Sequence, residues 1–379
     1  MRRRLLLLAI SLVASSLARI PSYSDFCAAP RGPASPADAL YPLRFVVCSD
    51  TAPDGPRSGF YAVDPHVCAR HLFLISLTVK KSALVRSIRS LSPRPRFVIN
   101  CGDLVVVGPG TNESAAWTAD LFDVIDGCCD EMPFYFARGN HDRPPESYAE
   151  AVELPLHYSF DWGGVHVAAI DTGAAGASAA EQLAWLDSDL ANATAAGSDW
   201  AFVAQHHPLF STSWKGCIAR TRQLGELEGA RGVAAVFSGH DHDYERIYPL
   251  LGPHWFVVGT GWANDGAKMY SDEWSARFER YHAFLIVDVL DENVTLIRAV
   301  RSDDPDRVFD EVRIDRSRPF DWYGRGGNYS TACSSFRVGD PAAALKVTAG
   351  VVLLLILVTM ATLGALTASG AAARDRKRV

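Results

Sequence analysis

Five short polar motifs in this sequence carry side chains that could bind metal ions, and each follows an apolar segment. They are Asp50 in CSDT, Asp103 in CGDL, and the stretches GNHD (139–142), HHP (206–208) and GHDH (239–242). Carboxylate, amide and imidazole donors suit Fe, Zn, Mn or Mg, and none of the donor positions is a cysteine. Six or seven donors exceed the four that one ordinary zinc ion takes, so the set predicts two ions.

Each motif taken alone has a simpler explanation. An Asp after a strand, such as Asp50, is usually a turn residue or a helix cap. An isolated His is usually a core or surface residue, and we interpret six histidines in that way: His66, His71, His157, His166, His254 and His282. The site prediction depends on all five motifs occurring at strand ends, because ligands of open α/β sheets bind outside the carboxyl ends of strands. Asp103 adds to it, since a carboxylate between apolar runs needs an opposing charge such as a metal ion.

The elements that must position these motifs are visible as apolar runs. Continuous runs predict buried strands, at 43–48, 97–100, 134–137, 165–170, 200–204 and 233–237. Helical spacing predicts helices, at 69–91, 115–125 and 179–191. Four later segments with mostly short connections predict an antiparallel meander, at 255–258, 282–289, 294–300 and 308–314. The order predicts one α/β domain over 41–316, with two packed sheets and helices outside them.

Both ends of the chain resemble targeting or membrane segments. Three arginines, an apolar stretch and small residues predict a signal peptide over 1–18, with an uncleaved anchor as the alternative, and 19–40 is a lead-in. Residues 347–369 carry no charge and are long enough to cross a bilayer core of ~30 Å as a helix. A stalk at 317–346 precedes this span, and a basic cytoplasmic tail at 370–379 follows it. A lipid-anchor signal is the competing interpretation, but such signals normally end in their apolar stretch.

These ends predict a type I single-pass membrane protein whose main domain is extracellular or in a lysosomal or vacuolar lumen. Four acceptor patterns for glycosylation agree with this, at Asn112, Asn192, Asn293 and Asn328. Eight cysteines lie between the signal and the span, where disulfides could form, and the adjacent Cys128 and Cys129 are expected to have different partners. Cys48 and Cys101 are interpreted as small buried residues.

The charge balance argues against nucleic acid as a partner. The chain has 37 basic and 43 acidic residues, and the two terminal segments hold seven of the basic residues but only one acidic residue. The part between them therefore carries an excess of twelve acidic side chains. Such a surface has no general attraction for nucleic acid, although metal ions could still create a local site for an anion.

The five motifs, in this order, resemble the calcineurin-like metallophosphoesterase superfamily, and most closely the purple acid phosphatases of the small tartrate-resistant type. GHDHDYER (239–246) and AEQLAWLDSDLANA (180–193) are similar to that branch, and the resemblance covers 43–315. It implies a four-layer α/β sandwich of two mixed sheets flanked by helices. It also implies two metal ions, iron together with Fe, Zn or Mn.

The resemblance further assigns roles to residues of this chain. Asp50 and His242 would bind the first ion, and Asp103 would bridge both ions. The second ion would take Asn140, His206 and His240. His141 would lie beside the substrate and stabilise charge or protonate the leaving group, and His207 is a further candidate for substrate binding. A hydroxide held by the two ions would attack phosphorus, as metal-assisted hydrolysis requires.

The sequence departs from the family pattern at the first ion. Where most of the superfamily has a His this chain has Ala52, and where purple acid phosphatases have a metal-binding Tyr it has Val106. The loop after HHP also lacks a histidine that the family often has, and four polar residues are candidates to replace it: Ser211, Thr212, Ser213 and Lys215.

The predicted function is a membrane-anchored acid phosphatase that acts on small phosphate monoesters. A nucleotide phosphohydrolase or phosphodiesterase on the same scaffold is the first alternative, because substrate choice would depend on loops such as 51–66 and 262–280. A non-catalytic ectodomain is the second alternative, and the losses at Ala52 and Val106 motivate it.

Overall fold

The structure, a computed structural model, describes only part of the chain. The described residues are 20–27, 31–32, 41–52, 84–107, 112–173, 177–213, 222–249, 251–261, 266–268 and 274–317. The predicted signal peptide, nearly all of the stalk, the membrane span, the tail and Asn328 lie outside these ranges. Within them, no helix is both long enough and apolar enough to cross a membrane.

Thirteen strands of the described chain form two sheets. In chain order they are β1 (Leu43–Cys48), β2 (Val98–Asn100), β3 (Phe134–Phe136), β4 (Tyr158–Trp162), β5 (Val165–Ala169), β6 (Trp200–Ala204), β7 (Ala235–Ser238), β8 (Tyr244–Ile247), β9 (His254–Val258), β10 (Ser275–Glu279), β11 (Ala283–Val289), β12 (Val294–Arg301) and β13 (Asp304–Asp315). The first sheet has the order β13-β12-β11-β1-β2-β3, and the second has the order β10-β8-β9-β7-β6-β5-β4.

The helices of the described chain lie between these strands or before them. They are α1 (Tyr23–Phe26), α2 (84–90), α3, α4 (Pro145–Val152), α5 (Ala177–Ala196) and α6 (Arg222–Ala230). Helix α3 joins Glu113–Ala116, a π-helical stretch Trp117–Phe122, and Asp123–Ile125. The cap of α3 is Asn112, whose Oδ1 accepts a hydrogen bond from the amide of Ala115 at 3.1 Å.

Both sheets are mixed, as predicted. In the first, β1, β2 and β3 are parallel, while β11 is antiparallel to β1. In the second, β5, β6, β7 and β9 are parallel, and β4 and β8 are antiparallel to their neighbours. The parallel strands bring their carboxyl ends to one edge of each sheet, which is where the polar motifs follow them.

An aromatic core joins the two sheets. Phe45 stacks on Phe97 with ring centroids 4.9 Å apart, and it meets Phe202 of the second sheet edge to face at 5.5 Å. Such pairs contribute about 0.5–1.5 kcal/mol each beyond the burial of their area. A second core lies on the other side of the first sheet, where Val46 and Val98 belong to one apolar cluster with Trp117 of α3. A disulfide from Cys27 to Cys129 joins the chain after α1 to the chain after α3.

The predicted meander is correct only in its last three strands. Strands β11, β12 and β13 are antiparallel neighbours. Residues 255–258 instead belong to β9, which lies in the second sheet between β7 and β8 and pairs in parallel with β7. All five side chains of β9 are buried, and a short apolar run of this kind gives no information about its pairing partner. The three unpredicted strands β4, β8 and β10 each contain charged or polar residues that interrupt the apolar pattern.

Candidate metal centre

The strand-to-loop turns direct the polar side chains of the motifs toward one place. Asp50 and Asp103 both have a φ of 53°, and His240 has a φ of 70°. Asp and His adopt this left-handed backbone more readily than most residues. Gly102 has a φ of 99°, and a Cβ there would lie 2.6 Å from the amide nitrogen of Gly139. The loops after β2 and β3 are therefore in direct backbone contact, which only glycine allows at this point.

Four of the predicted ligands converge at the loops that follow β2, β3, β6 and β7. Oδ1 of Asn140 lies 3.0 Å from Nε2 of His206 and 2.8 Å from Nδ1 of His240. Oδ2 of Asp103 lies 3.3 Å from the same Nε2 of His206. The two oxygens and two imidazole nitrogens are therefore close enough together to be ligands of a single metal ion.

The hydrogen bond on the far side of His206 favours an ion in this position. Its Nδ1 lies 2.9 Å from the carbonyl oxygen of Cys101, which can only accept, so Nδ1 carries the hydrogen. The lone pair of Nε2 then faces the oxygens of Asn140 and Asp103, and lone pairs so placed need a cation or an added proton between them. The residues present fit a metal ion with carboxylate, amide and imidazole ligands.

The pKa shifts of His206 and Asp103 in the absence of metal also favour a positive charge between them. Burial alone would lower the pKa of His206, but the facing Asp103 carboxylate outweighs it and raises this pKa to about 9. Burial likewise opposes ionisation of Asp103, yet His206 holds its pKa well below the usual range. The site thus binds positive charge, which a metal ion would supply instead of the proton.

The ligands predicted for the first ion are less complete. Oδ2 of Asp50 accepts hydrogen bonds from Oγ of Ser49 at 2.7 Å and from the amide of His240 at 2.9 Å. Nε2 of His242 lies 3.6 Å from Oδ1 of Asp50. Ala52 is buried and Val106 is half-buried, and neither side chain has a donor atom. Among the described residues, Asp103 is the third ligand that this position could share.

Asp142 holds the two central loops together, a role that the sequence did not reveal. Its side chain is fully buried, and its Oδ1 accepts from the amides of Leu104 and Val105 at 2.7 and 3.0 Å. Its Oδ2 accepts from the amide of Gly139 at 2.8 Å. Burial, together with the nearby Asp103, raises the pKa of Asp142 to about 7. Its position directly after Asn140 and His141 was the only sequence feature that pointed to Asp142. Position alone does not distinguish a metal ligand from a residue that holds the loops in place.

An ion pair attaches the GNHD loop to the second sheet. Arg138 contacts Asp171, which follows β5, through Nη2 to Oδ1 at 3.0 Å and Nε to Oδ2 at 3.1 Å. The same guanidinium also lies 3.4 Å from the carbonyl oxygens of Gly139 and Asp142. Both partners of the pair are buried, so removing either one would leave an uncompensated charge.

His141 and His207 lie at the accessible side of the cluster. The side chain of His141 is exposed, and its amide donates to Oδ1 of Asp103 at 2.9 Å. The ring of His207 lies 4.4 Å from the ring of His240 and 5.0 Å from that of His206, between centroids. Both imidazoles therefore border the cluster on the side that solvent can reach.

The hydroxyl residues after HHP have a different place from the one suggested by the sequence. Ser211, Thr212 and Ser213 are fully buried. Oγ of Ser211 donates to Oδ2 of Asp241, and Oγ1 of Thr212 donates to Oε1 of Glu245. These residues thus support the segment that carries His240 and His242, and substrate cannot reach them. Lys215 lies outside the described residues.

Comparison with known proteins agrees with this geometry. The sequence pattern of the calcineurin-like phosphoesterase family matches residues 43–244. The chain is 33% identical over 177 residues to the serine/threonine-protein phosphatase CPPED1 of Mus musculus, covering 42% of this chain and 57% of that protein. It is 28% identical over 163 residues to purple acid phosphatase 15 of Arabidopsis thaliana, covering 36% of this chain and 31% of that protein. The chain thus spans less than two thirds of either curated relative.

Two solved structures share the fold at low sequence identity. Purple acid phosphatase PPD1 from yellow lupin (Lupinus luteus) has a TM-score of 0.58 at 18% identity, covering 72% of this chain and 53% of that chain. GAP50, the anchor in the inner membrane complex of Plasmodium, has a TM-score of 0.56 at 18% identity, covering 72% of this chain and 88% of that chain. Both likenesses concern the arrangement of the chain and not its activity.

Proposed function

The chain belongs to the calcineurin-like phosphoesterase family, and we propose that it is a metal-dependent acid phosphatase that hydrolyses small phosphate monoesters. The observation that carries this proposal is the convergence of Asn140, His206 and His240 within 3.0 Å contacts, with Asp103 beside them. Lone-pair donors held together in this way fit the metal ions that such a reaction requires. The relatives named as phosphatases support the same reaction class.

The ligand set divides between two positions. Asn140, His206 and His240 would hold one ion, Asp50 and His242 would hold another, and Asp103 would be shared. Ions bound there, whether Fe, Zn or Mn, would polarise phosphoryl oxygens and lower the pKa of water. Because the first position has fewer protein ligands among the described residues, we expect its ion to bind more weakly.

The residues around the ligands have separate tasks in this proposal. His141, exposed at the edge of the cluster, would stabilise charge on the substrate or give a proton to the leaving oxygen. His207 would bind the phosphoryl group. Asp142 and the Arg138–Asp171 pair would hold the loops in place, so that the ligands need little reorganisation when substrate arrives.

We also propose the membrane topology predicted from the sequence. A signal peptide at 1–18, a domain at 41–316 and a span at 347–369 would place the domain outside the cell or in a lysosomal or vacuolar lumen. The Cys27–Cys129 disulfide supports an oxidising compartment. Asn112, Asn192 and Asn293 are exposed, as acceptors of N-glycans must be.

A non-catalytic domain is the second candidate, and Ala52 and Val106 are the observation that favours it. The deciding experiment uses the full-length protein in detergent, with metal content and turnover measured on the same sample across pH. Hydrolysis of p-nitrophenyl phosphate that depends on metal would support the phosphatase, whereas absence of metal and turnover under every condition would reject it. Comparison with bis(p-nitrophenyl) phosphate and ADP would distinguish a phosphodiesterase or nucleotide phosphohydrolase.

A further inference from the structure

The two adjacent histidines of the HHP motif contact different kinds of hydrogen-bonding group through their Nδ1 atoms. Nδ1 of His206 faces the carbonyl oxygen of Cys101 at 2.9 Å. Nδ1 of His207 faces Oγ1 of Thr172 at 2.8 Å. A carbonyl can only accept, whereas a hydroxyl can also donate, so the two contacts need not place the hydrogen on the same ring atom.

A second contact occupies one acceptor lone pair of the Thr172 hydroxyl. The backbone amide of His207 also lies 3.0 Å from Oγ1 of Thr172, and an amide N–H can only donate. The hydroxyl therefore accepts from the amide through a lone pair. The hydroxyl keeps its hydrogen, and within the described part of the chain its other contact is Nδ1 of His207, to which that hydrogen can be donated.

We propose that Thr172 is a positioning residue that fixes His207 in the tautomer with its hydrogen on Nε2, so that His207 serves the site as a hydrogen-bond donor to a phosphoryl oxygen. His206, with its hydrogen on Nδ1, presents a lone pair and suits a metal ion. His207 presents an N–H instead. In this proposal His206 is a metal ligand and His207 is a hydrogen-bond donor. The hydrogen-bond partner of each Nδ1 atom determines which role the histidine has.

This assignment explains why three histidines can lie together around one centre. Ring nitrogens of His206, His207 and His240 lie within 4.8 Å of one another, close enough to suggest three ligands to one ion. A nitrogen that carries hydrogen cannot bind a metal, so Thr172 removes His207 from the ligand set. Thr172 follows Asp171, the partner of Arg138, and so its backbone position is anchored by a buried ion pair.

The inference rests on the proposed function for its substrate, a phosphate ester, but its first test needs no turnover. The full-length protein in detergent, loaded with diamagnetic Zn²⁺ and labelled with ¹⁵N, would show the tautomer of each histidine in long-range ¹H–¹⁵N correlation spectra. We expect the hydrogen of His207 on Nε2 in the wild type, with the signals identified by their loss in His207→Gln. A hydrogen on Nδ1 of His207 in the wild type would overturn the proposal, and this measurement requires no variant of Thr172 to fold.

The second test measures the dissociation constant of inorganic phosphate for the Zn²⁺-loaded protein. Thr172→Val keeps the shape but loses the hydroxyl, so we expect phosphate binding to weaken about tenfold, the value of one hydrogen bond to a charged group. Thr172→Ser keeps the hydroxyl and should restore affinity. Thr118→Val is the matched control, because its hydroxyl bonds only the helical carbonyl of Ser114 among the described partners.

The outcomes separate this inference from the proposed function. Wild-type affinity for phosphate in Thr172→Val would overturn the role of Thr172, even if the protein hydrolyses p-nitrophenyl phosphate. Weakened binding in Thr172→Val, with rescue by Thr172→Ser, would support it even if no ester were hydrolysed. In an active enzyme, Thr172→Val should raise KM for p-nitrophenyl phosphate more than it lowers kcat, whereas a general loss of folding would lower the active fraction and leave KM unchanged.

Discussion

The carbonyl oxygen of Cys101 lies 2.9 Å from Nδ1 of His206, and this contact fixes which nitrogen of the imidazole faces the metal centre. Cys101 directly follows strand β2, so a central strand of the first sheet orients a candidate ligand that follows β6 of the second sheet. Outer contacts of this kind hold a histidine in the tautomer and orientation that a metal requires. The packing of the two sheets against each other is therefore a condition for the site to form.

Asn140 is the proposed ligand whose loss should most directly weaken metal binding at the second position. Its Oδ1 contacts both His206 and His240, and alanine would remove this shared oxygen. We expect Asn140→Ala to lower metal affinity and turnover at least 10–100-fold, the range seen for loss of even an outer-shell contact. Metal analysis after dialysis against a weak chelator measures this. Asn140→Asp keeps an oxygen and should lose less metal affinity, and Asp187→Asn, in an exposed ion pair with Arg231, should leave metal affinity unchanged.

Val106 gives an optical prediction. By resemblance, the colour of purple acid phosphatases arises from a Tyr bound to ferric iron, and this chain has Val106 at the corresponding position. We expect the iron-loaded protein to lack the visible charge-transfer band. Val106→Tyr should introduce the band, because Val106 is half-buried in the loop that carries Asp103. A strong band in the wild type would show that another tyrosine had reached the ion.

The sequence predicted where the motif residues lie relative to the strands, but not the contacts that hold them in place. Glycine, Asp, Asn and His after apolar runs were sufficient to place the candidate ligands at strand ends, because strand direction follows from the alternation of strands and helices. The sequence could not show that Asp142 bonds three backbone amides and that Asn140 beside it faces the histidines. Neighbouring residues of a tight turn point in different directions, and their partners come from distant parts of the chain.

The fold had a similar limit. Apolar runs located the buried strands, but the pairing of β9 with β7 depends on a crossover between elements that are not adjacent in sequence. The Cys27–Cys129 disulfide has a separation of 102 residues and left no local pattern. Helix α5 was predicted because Leu183, Leu186 and Leu190 repeat at helical spacing; Leu186 and Leu190 are buried, and Leu183 is half-buried. Local periodicity therefore predicted elements such as α5 correctly. It could not predict pairings between residues that are distant in sequence.

Asp142 supports a prediction about stability. In Asp142→Asn, one oxygen of the carboxylate becomes an NH₂ group, which faces an amide hydrogen of Leu104, Val105 or Gly139. A buried amide left without an acceptor costs about 1–3 kcal/mol, and two facing donors add repulsion. We expect the free energy of unfolding to fall by about 3 kcal/mol, with reduced metal content, in denaturant titrations. Asp187→Asn, which alters an exposed ion pair with Arg231, should change stability by less than about 1 kcal/mol. Equal effects of the two variants would contradict the role of Asp142.

His166 makes the stability of the domain depend on pH at a position remote from the motif loops. It is buried, with Nδ1 2.8 Å from Oδ1 of Asp161 and Nε2 2.9 Å from Oδ2 of Asp189. Burial lowers its pKa, but the hydrogen bonds to Asp189 and Asp161 outweigh burial, and the net pKa is raised. The pKa of Asp189 is lowered because the hydrogen bonds from His166 and Ser159 outweigh its burial.

The sign of the effect follows from these two directions. A raised histidine pKa contributes stability that is complete below its unfolded value of about 6.5 and is lost as pH rises through the folded value. A lowered aspartate pKa contributes stability that is complete above about 3.9 and is lost as pH falls through the folded value. We therefore expect the loss of unfolding free energy in His166→Gln to be largest between about pH 4 and 6.5, at about 1–3 kcal/mol, and to shrink at higher pH. Denaturant titrations of both proteins at several pH values measure it. His157→Gln is the control for the removal of a histidine, because the ring of His157 packs on Trp185 outside this ion-pair cluster. A loss in His166→Gln that stayed constant from pH 5 to 9 would contradict the charged state inferred for His166.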